Sequence, residues 1–277
     1  MIIIDYSGIA ISNLIAQQLS IEEDLIRHMI LNSIRMYNVK FRKDYGNIVL
    51  ACDHTSWRKG IFPQYKFKRK SAREESTMDW AEAFRILNMV RDELRENFPY
   101  HVIHVENSEA DDIIGTLVRD TQEFGKDEKV MIVSADKDFI QLHKYKNVKQ
   151  FSPMTKKFVT HENPIEYLHE HIMKGDSGDG VPNVLSPDNT FVDGIRQSPM
   201  SKKKIEEYKD RFKMPEEVYR NYCRNQKLID LSHTPDKIQA DIIDQYRNQT
   251  MAHPSKVLNY LIKNRCKMLI ECAGEFV

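Results

Sequence analysis

Acidic residues follow four short apolar runs of the chain, each at the point where the run ends. Asp5 and Asp53 end the first two runs, and further acids follow the next two. A lone aspartate in such a position is most often a helix cap or turn residue, but four such segments favour a shared site. The candidate acids are Asp5, Asp53, Glu109, Asp111, Asp112, Asp136 and Asp138, followed later in the chain by Asp176 and Asp179.

A cluster of carboxylates needs a counter-charge. Two ionised carboxylates about 5 Å apart repel by roughly 3 kcal/mol at an effective dielectric constant of about 20. Oxygen ligands without a cysteine or histidine ligand pattern favour a hard cation, Mg²⁺ with Mn²⁺ as a substitute, over zinc. The acids outnumber the ligands that one ion needs, so we expect two metal positions, which mainly perform in-line displacement at phosphorus.

The elements that position these acids follow from the hydrophobic pattern. Over about the first 175 residues, β-branched runs alternate with amphipathic helical stretches, which predicts an α/β fold with a mostly parallel central sheet flanked by helices. In such a sheet, the carboxyl ends of the strands form the ligand crevice. The predicted strands are 2–5, 48–53, 101–105, 130–134 and 148–151, and the predicted helices are 21–37, 79–98 and one capped by Ser108.

The character of the chain changes beyond Lys174. Residues 175–190 are rich in Gly, Pro, Asp and Asn, and charged helical segments follow without an evident strand. We therefore predict an α/β domain over 1–175 and a smaller helical domain over 176–277. Ser201 indicates a capped helix start, and the three lysines behind it (Lys202, Lys203 and Lys204) suit contacts with phosphates.

A basic segment follows the second strand. Residues 58–73 contain seven lysines and arginines and no acid, interleaved with aromatic residues. A charge run is usually a solvated face, but its attachment to an acid-bearing strand favours a grip on phosphates and unpaired bases. Lys66 and Arg69 are one helical turn apart and are placed to stabilise charge on a reacting phosphate. We expect Lys68, Lys70 and Arg73 to contact nucleic acid.

The net charge is zero, from 41 basic and 41 acidic residues. Assigning nine acids to the metal site leaves 32 acids against 41 basic residues, which restores a basic surface for nucleic acid. No apolar run is long enough for a membrane span or a signal peptide, so we expect a soluble protein without a membrane partner. Four scattered cysteines fit a reducing cytoplasm, and the ten histidines show no ligand spacing beside the acids.

Four sequence motifs together resemble the 5′ nuclease (flap endonuclease) superfamily. They are EADD at 109–112, SADKDFIQL at 134–142, GDSGDGVP at 175–182 and YKFKRKSAREEST at 65–77. Within the superfamily, the chain is most similar to the branch formed by the ribonucleases H of T-even bacteriophages, through AREEST, DKDFIQLHKY, NVKQFSPM and HMILNSI. The likeness runs from residue 1 to about 182 and fades in the C-terminal third.

The resemblance implies a 5′ to 3′ exonuclease and flap endonuclease with ribonuclease H activity. Such an enzyme removes RNA primers and adjacent DNA from lagging-strand fragments in phage DNA replication, in the host cytoplasm. Its substrates are branched or nicked DNA and RNA·DNA hybrids. A single-strand-binding protein and a sliding clamp are partners by analogy, and we expect a monomer.

The resemblance also assigns roles to the residues. Asp5, Asp53, Asp111 and Asp136 surround the first metal, with Glu109 and Asp112 close by, and Asp138, Asp176 and Asp179 hold or orient the second. Lys66 and Arg69 lie at the base of an arch over the active site, formed by about 54–77, and Tyr65 stacks on the substrate. The segment 175–182 opens a helix-three-turn-helix element that grips duplex DNA.

Three other functions remain open from the residues alone. A PIN-like ribonuclease shares the acids but needs neither the basic segment nor the second domain. A phosphatase is disfavoured because Asp5 is followed by Tyr6 and Ser7 rather than by a second aspartate. A catalytically silent, structure-specific DNA-binding protein of the replication fork is expected to have lost some of the acids, whereas all nine are present here.

Overall fold

The computed structural model describes residues 1–17, 21–123 and 125–277, and within them six strands form one sheet. Their spatial order is β3-β2-β1-β4-β5-β6, and all neighbours are parallel except β5 and β6. The predicted α/β fold with a mostly parallel sheet is therefore confirmed. The strands are β1 (Ile2–Asp5), β2 (Ile48–Ala51), β3 (His101–Ile103), β4 (Val130–Val133), β5 (Val148–Ser152) and β6 (Lys157–Val159).

Helices cover both faces of the sheet. A 3₁₀ helix, Lys137–Lys144, follows β4, and shorter 3₁₀ turns lie at Arg211–Lys213, Leu231–His233 and Ala273–Phe276. The α-helices of the described residues are α1 (Tyr6–Gln17), α2 (Glu23–Tyr45), α3 (Arg58–Ile61), α4 (Phe67–Glu74), α5 (Trp80–Asn97), α6 (Ala110–Gln122), α7 (Pro164–Lys174), α8 (Lys202–Glu207), α9 (Glu216–Ile229), α10 (Asp236–Asn248), α11 (Lys256–Lys263) and α12 (Lys267–Ile270).

Successive strand residues point to opposite faces, so the sheet has an apolar core on each of its faces. Ile4 belongs to the core that also contains residues of α2, α5, α11 and α12. Ile3, its neighbour in β1, belongs to the core that includes residues of α6 and α10. Because both faces are covered, the central strands β2 and β4 are fully buried and apolar, and β1 is apolar up to its last residue, Asp5. The C-terminal helices α10 to α12 thus pack directly against the helices and strands of the sheet.

Two local predictions need correction. Helix α6 is capped by Glu109 rather than by Ser108, because the Ser108 hydroxyl donates to the Val105 carbonyl (2.8 Å). The Glu109 N–H instead donates to Asp112 Oδ2 at 2.9 Å, which forms part of a capping box. The pattern also does not predict β6, a three-residue edge strand without an apolar run.

The helical character of the C-terminal third is confirmed for the described residues. Helix α8 begins behind Ser201, whose hydroxyl oxygen accepts from the Lys204 N–H at 3.2 Å, as predicted. None of the described helices is both long and apolar enough to cross a bilayer.

Candidate metal centre and adjoining basic cleft

The parallel strands bring aspartates together at one edge of the sheet. Asp5 is the last residue of β1, Asp53 lies just beyond β2, and Asp136 lies just beyond β4. Because β2, β1 and β4 are neighbours, their carboxyl ends meet at this edge. Asp53 Oδ1 also accepts from the Ala110 N–H (2.8 Å), which ties the end of β2 to the first turn of α6, where Asp111 lies.

Asp5 is held by the tight connection between β1 and α1. Its Oδ1 accepts from the Gly8 N–H at 2.8 Å, and its Oδ2 accepts from the Ser134 hydroxyl at 3.0 Å. A Cβ atom added at Gly8 would lie 2.4 Å from Asp5 Oδ2. Glycine at position 8 therefore allows the start of α1 to pack directly against this carboxylate.

Burial and neighbouring negative charges raise the pKa of three of these carboxyls. Burial, followed by the charge of Asp53, raises the pKa of Asp5 to about 7. Burial, followed by the charge of Asp136, raises the pKa of Asp138 to about 7 and holds the pKa of Asp111 well above its ordinary value. Carboxylates that ionise at such a cost are stabilised by a bound cation, so the site has the electrostatics of a metal centre.

Two overlapping groups of side chains have the spacing of metal ligands. Asp111, Asp136 and Asp138 offer three oxygens that lie within 4.8 Å of one another. Asp138, His171 and Asp176 offer ligand atoms within the same distance. Asp138 belongs to both groups, so the two candidate sites share one carboxylate. The mostly carboxylate donor set fits hard divalent cations.

His171 is a candidate that its local sequence does not reveal. Its Nδ1 lies 3.3 Å from Asp138 Oδ1, and its Nε2 lies 3.6 Å from Asp176 Oδ2. Burial lowers the pKa of His171, but the hydrogen bond to Asp176 and the charge of Asp138 outweigh burial and raise it. The expectation that the histidines lie apart from the acids is therefore wrong at this position. The packing of α7 against the 3₁₀ helix brings the imidazole to the site.

Arg58 is a second residue whose position the sequence does not reveal. A run of charged residues is usually exposed, but Arg58 is only 1% exposed. Its Nε donates to the Leu228 carbonyl at 2.8 Å, and its Nη1 donates to Glu109 Oε2 at 2.9 Å. Both terminal nitrogens bond to Asp112, at 3.0 and 2.9 Å. Arg58 thus joins α3, α6 and α9 in the interior, next to the metal centre.

Asp112, predicted to lie at the metal site, has other partners in this structure. Asp112 is fully buried, and its Oδ1 accepts from Trp57 Nε1 (3.1 Å) and Thr234 Oγ1 (2.9 Å) in addition to Arg58. Its Oδ2 accepts from Arg58 and from the Glu109 N–H. Both oxygens are therefore occupied by donors, and the guanidinium already balances the charge.

Lys66 and Arg69 face the acids together. Lys66 Nζ donates to Glu109 Oε1 at 2.6 Å and lies 3.4 Å from Asp179 Oδ2, while Arg69 Nη2 donates to Asp179 Oδ1 at 2.6 Å. The Lys66 backbone adopts a left-handed φ of 57°, and its N–H donates to the Asp179 carbonyl at 2.7 Å. Glu109 and Asp179, both expected at the metals, are thus paired with basic side chains in this structure.

The electrostatics of Glu109 differ from those of the aspartates. Burial by itself raises the pKa of Glu109, but the Lys66 ammonium and the Arg58 guanidinium outweigh burial and lower the pKa to about 2. Glu109 therefore remains ionised over the physiological pH range. Its charge stabilises the Arg58 guanidinium and the Lys66 ammonium, which lie beside the candidate metal centre. Unlike the aspartates, Glu109 therefore needs no metal ion to balance its charge.

The expectation that Tyr65 stacks on the substrate is not supported by its position. Tyr65 is only 3% exposed, and its ring packs in a small apolar cluster with Phe62 and Ile172. Its hydroxyl lies within hydrogen-bond distance of Glu109 Oε2 (3.2 Å) and Asp179 Oδ2 (3.1 Å). The ring is therefore covered by other side chains, and the hydroxyl contacts both acids.

Two cavities open beside the carboxylates. One of about 560 Å³ is lined by the acidic centre, including Asp5, Asp136 and Asp138. The other, of about 630 Å³, is lined by Asp53 and Glu109 together with basic residues of the arch-like segment and of α5. These basic residues are Lys59, Lys66, Arg69, Arg73 and Arg91. The structure therefore places a basic cleft next to the acidic centre.

The remaining predicted nucleic-acid contacts lie away from this cleft. Lys68 Nζ lies 4.8 Å from the centroid of the Phe191 ring, and Lys70 Nζ lies 3.8 Å from Glu74 Oε1 on the exposed side of α4. Lys202, Lys203 and Lys204 are exposed in the first turn of α8.

Two protein-family models match the chain. The model of the 5′-3′ exonuclease N-terminal, resolvase-like domain matches residues 1–171, which is more than half of the chain. The chain belongs to the 5′-3′ exonuclease family. The model of the T4 RNase H C-terminal region matches residues 164–276 of this exonuclease.

Relatives of this exonuclease include whole-length and partial matches. It is 36% identical to Ribonuclease H of Enterobacteria phage T4 over 292 aligned positions, which cover 99% of this chain and 95% of the phage protein. It is 33% identical over 141 positions to flap endonuclease Xni of Shewanella piezotolerans, a match that covers 47% of this chain and 49% of that relative. The resemblance inferred from the sequence motifs is therefore confirmed, but the expectation that it fades in the C-terminal third is wrong, because both the family model and the phage T4 relative match that region.

Solved structures share the fold of this exonuclease. The bacteriophage T5 flap endonuclease, in a pseudo-enzyme-product complex with DNA and metal ions, superposes with a TM-score of 0.62 at 14% identity, covering 89% of this chain and 99% of the T5 chain. The T5 5′-exonuclease with bound zinc gives a TM-score of 0.60 at 15% identity and covers 99% of both chains. At these identities, the similarity concerns the fold.

The nine predicted acids of this exonuclease therefore fall into two classes. Glu109, Asp112 and Asp179 form ion pairs with Arg58, Lys66 or Arg69. Within the described residues, no lysine or arginine lies within ion-pair distance of the other six, which are Asp5, Asp53, Asp111, Asp136, Asp138 and Asp176.

Proposed function

We propose that this protein is a two-metal phosphodiesterase that cleaves at the 5′ ends of branched or nicked duplexes. The observation that carries the proposal is the group of six carboxylates without a lysine or arginine partner, next to a cleft that contains Lys66 and Arg69. Two-metal sites in proteins mainly serve in-line displacement at phosphorus. Membership of the 5′-3′ exonuclease family supports the same chemistry.

The carboxylates would divide between two cations. When bound, the two ions activate a water molecule for attack and offset the charge that develops on the leaving oxygen. Mg²⁺ is the proposed ion, with Mn²⁺ as a substitute, because the donors are mostly carboxylate oxygens. Asp5, Asp53, Asp111 and Asp136 would hold the first ion, and Asp138 and Asp176 would hold the second, with Asp179 acting through water. The close spacing of the ligand oxygens of Asp111 and Asp136, and of Asp138 and Asp176, supports this division.

Lys66 and Arg69 would act on the scissile phosphate. Both donate hydrogen bonds to acids at the edge of the metal centre, so both are already oriented towards it. A phosphate that enters the cleft offers oxygens to which they can donate in place of Glu109 and Asp179. Positive charge at that place stabilises the extra negative charge of the transition state.

The proposed substrates are branched or nicked DNA and RNA·DNA hybrids. The name of the phage T4 relative and the DNA in the T5 complex support nucleic acid as the substrate. The role would be the removal of RNA primers and adjacent DNA in the cytoplasm of an infected bacterium. A single-strand-binding protein and a sliding clamp are proposed partners, and the enzyme would act as a monomer.

We also propose a division of labour along the chain. Residues 1–175 would carry the chemistry, and the helical residues 176–277 would hold the duplex. Exposed lysines in the first turn of α8 support this role, because lysines bind the phosphate backbone without reading sequence.

The test compares cleavage with binding. A labelled 5′-flap DNA and an RNA·DNA hybrid are incubated with wild type, Asp136→Asn and Asp241→Asn, in Mg²⁺ or in chelator. Asp241 is a suitable control because it pairs with Lys237 on the exposed side of α10. We expect Asp136→Asn to reduce the cleavage rate by at least about a hundredfold and Asp241→Asn to cleave like wild type.

DNA binding is measured separately, by retardation in chelator. Asp136→Asn should bind the flap DNA as wild type does, since it loses a ligand and not a phosphate contact. Full turnover of Asp136→Asn in saturating Mg²⁺ would contradict the assignment of metal ligands. If wild type retards flap DNA but does not cleave it in Mg²⁺, the result would instead support the alternative of a catalytically silent DNA-binding protein.

A further inference from the structure

His171 lies between two carboxylates of the proposed metal centre, and the chemistry proposed above does not use it. Its two ring nitrogens face different acids, with Nδ1 3.3 Å from Asp138 Oδ1 and Nε2 3.6 Å from Asp176 Oδ2. The side chain is 16% exposed, and it lines the acidic cavity of about 560 Å³ with both aspartates. A cation that enters this cavity therefore meets an imidazole as well as carboxylates.

We propose that His171 is a direct ligand of the cation held by Asp138 and Asp176, which makes this position a mixed nitrogen and oxygen site. The inference rests on the proposed function, because it concerns the second of the two proposed metal positions. One ligand atom from each of the three residues lies within 4.8 Å of the others. Two ligand atoms on opposite sides of a metal ion, each about 2.2 Å from it, are roughly 4.4 Å apart. Only small movements of these three side chains are therefore needed to surround one ion.

The arrangement of the ring supports direct ligation. When one nitrogen of an imidazole binds a metal, the other usually donates its N–H to a carboxylate or carbonyl, which fixes the ring orientation. Here each nitrogen faces a carboxylate oxygen, so either nitrogen can take the metal while the other remains opposite an acid. The rigid helix α7, which is capped at its start by Asn163, holds His171 in this position.

The consequence is a difference in metal preference between the two positions. Asp111, Asp136 and Asp138 offer only oxygens, which suit Mg²⁺, whereas imidazole favours Mn²⁺ and Co²⁺ over Mg²⁺. We therefore expect the second position to bind Mn²⁺ more tightly, relative to Mg²⁺, than the first. If His171 served only as a positive counter-charge, it would compete with the metal ion for Asp138 and Asp176. The second position would then show no preference for Mn²⁺ over Mg²⁺.

The experiment uses the full-length protein loaded with Mn²⁺ in the absence of DNA. Electron spin-echo envelope modulation detects nitrogen that is bonded to Mn²⁺, and isothermal titration gives the affinities for Mn²⁺ and Mg²⁺. The variants are His171→Gln and His171→Asn, with His161→Gln as the control. His161 is an exposed histidine whose Nδ1 accepts from the Asn163 N–H. Circular dichroism establishes that each variant is folded.

We expect nitrogen coupling in wild type and in His161→Gln, and its loss in both His171 variants. The affinity of one Mn²⁺ should fall at least about tenfold in these variants, while that of Mg²⁺ changes by less than about threefold. If wild type binds two Mn²⁺ ions and cleaves flap DNA but shows no nitrogen coupling, the inference is wrong and the proposed function stands. If wild type neither binds divalent cations nor cleaves, both are wrong.

Discussion

Arg58 and Asp112 form a two-point ion pair in the interior of the protein. Arg58 Nη1 lies 3.0 Å from Asp112 Oδ2, and Nη2 lies 2.9 Å from Oδ1, with both side chains at most 2% exposed. The same guanidinium bonds to Glu109 and to the Leu228 carbonyl. The first basic residue of the arch-like segment therefore holds together the framework around the metal centre.

Loss of this guanidinium should destabilise the fold. Arg58→Met leaves Asp112 buried without its counter-charge, so we expect the free energy of unfolding to fall by roughly 3–5 kcal/mol. Urea denaturation measures the change. Arg85→Met is the control, because Arg85 pairs with Glu82 and Glu23 at an exposed position, where losing an ion pair changes stability far less. Similar losses for the two variants would contradict the structural role of Arg58.

Glu109 should make the protein sensitive to acid. Burial raises its pKa, but Lys66 and Arg58 outweigh burial and lower the pKa from 4.5 to about 2. A carboxylate whose pKa is lowered by folding contributes stability that is present above its pKa in the unfolded protein. That stability is lost as the pH falls through its pKa in the folded protein. Between pH 5 and pH 3, we expect wild type to lose about 2 kcal/mol more than Glu109→Gln. Denaturation of both proteins across this range checks the difference, and parallel profiles would argue against it.

The aspartates of the metal centre should give the opposite pH dependence. Burial, followed by the charges of Asp53 and Asp136 respectively, raises the pKa of Asp5 and Asp138 from 3.8 to about 7. Without metal, these aspartates contribute stability that is present below their pKa in the unfolded protein. That stability is lost as the pH rises towards their pKa of about 7 in the folded protein. A bound cation offsets the repulsion between the ionised carboxylates and so removes this loss.

Metal should therefore stabilise the folded protein mainly at high pH. We expect saturating Mg²⁺ to raise the melting temperature by at least about 3 °C at pH 8 and by less than about 1 °C at pH 5, relative to chelator. Thermal unfolding followed by circular dichroism measures both values. Equal stabilisation at the two pH values would show that the binding site does not consist of these carboxylates.

Lys66 should matter more for the rate of cleavage than for affinity. Lys66→Met removes a cation at the edge of the metal centre, and we expect the single-turnover rate on flap DNA to fall by about 10²–10³ with less than about a threefold change in Kd. Lys126→Met is the control, because Lys126 pairs with Asp120 and does not line the basic cleft. A loss confined to Kd would assign Lys66 to substrate binding instead.

The meeting of the strand-end aspartates could be predicted because it depends on local features. Asp5 ends β1, and Asp53 and Asp136 closely follow β2 and β4. In a parallel sheet, the ends of neighbouring strands must meet, so no knowledge of side-chain contacts was needed to bring these residues together. The start of α8 behind Ser201 was also predictable from local sequence, because a capping side chain acts within one turn of its helix.

The division of the acids into those paired with lysine or arginine and those without such a partner could not be predicted in this way. Asp111 and Asp112 are neighbours in one helical turn, but Asp112 lies against Arg58, Trp57 and Thr234, which come from distant parts of the chain. The position of His171 likewise depends on how α7 packs against the 3₁₀ helix. Such contacts are set by the tertiary structure, and residue spacing carries no signal of them.

Gly8 should be required for metal binding although it offers no ligand. A Cβ atom at this position would lie 2.4 Å from Asp5 Oδ2 and 2.7 Å from its Cγ, so Gly8→Ala must displace the carboxylate. We expect the Mg²⁺ concentration for half-maximal cleavage to rise at least about tenfold. The melting temperature in chelator should change little, because alanine suits the first turn of a helix better than glycine does.

Gly274→Ala provides the matched control for this substitution. An added Cβ at Gly274 meets nothing within 4 Å, so its Mg²⁺ dependence should equal that of wild type. Titration of flap cleavage with Mg²⁺ compares the three proteins. If Gly8→Ala has the Mg²⁺ dependence of wild type, the position of the Asp5 carboxylate does not limit metal binding. The ligands of the first ion would then lie among the acids of the other strand ends.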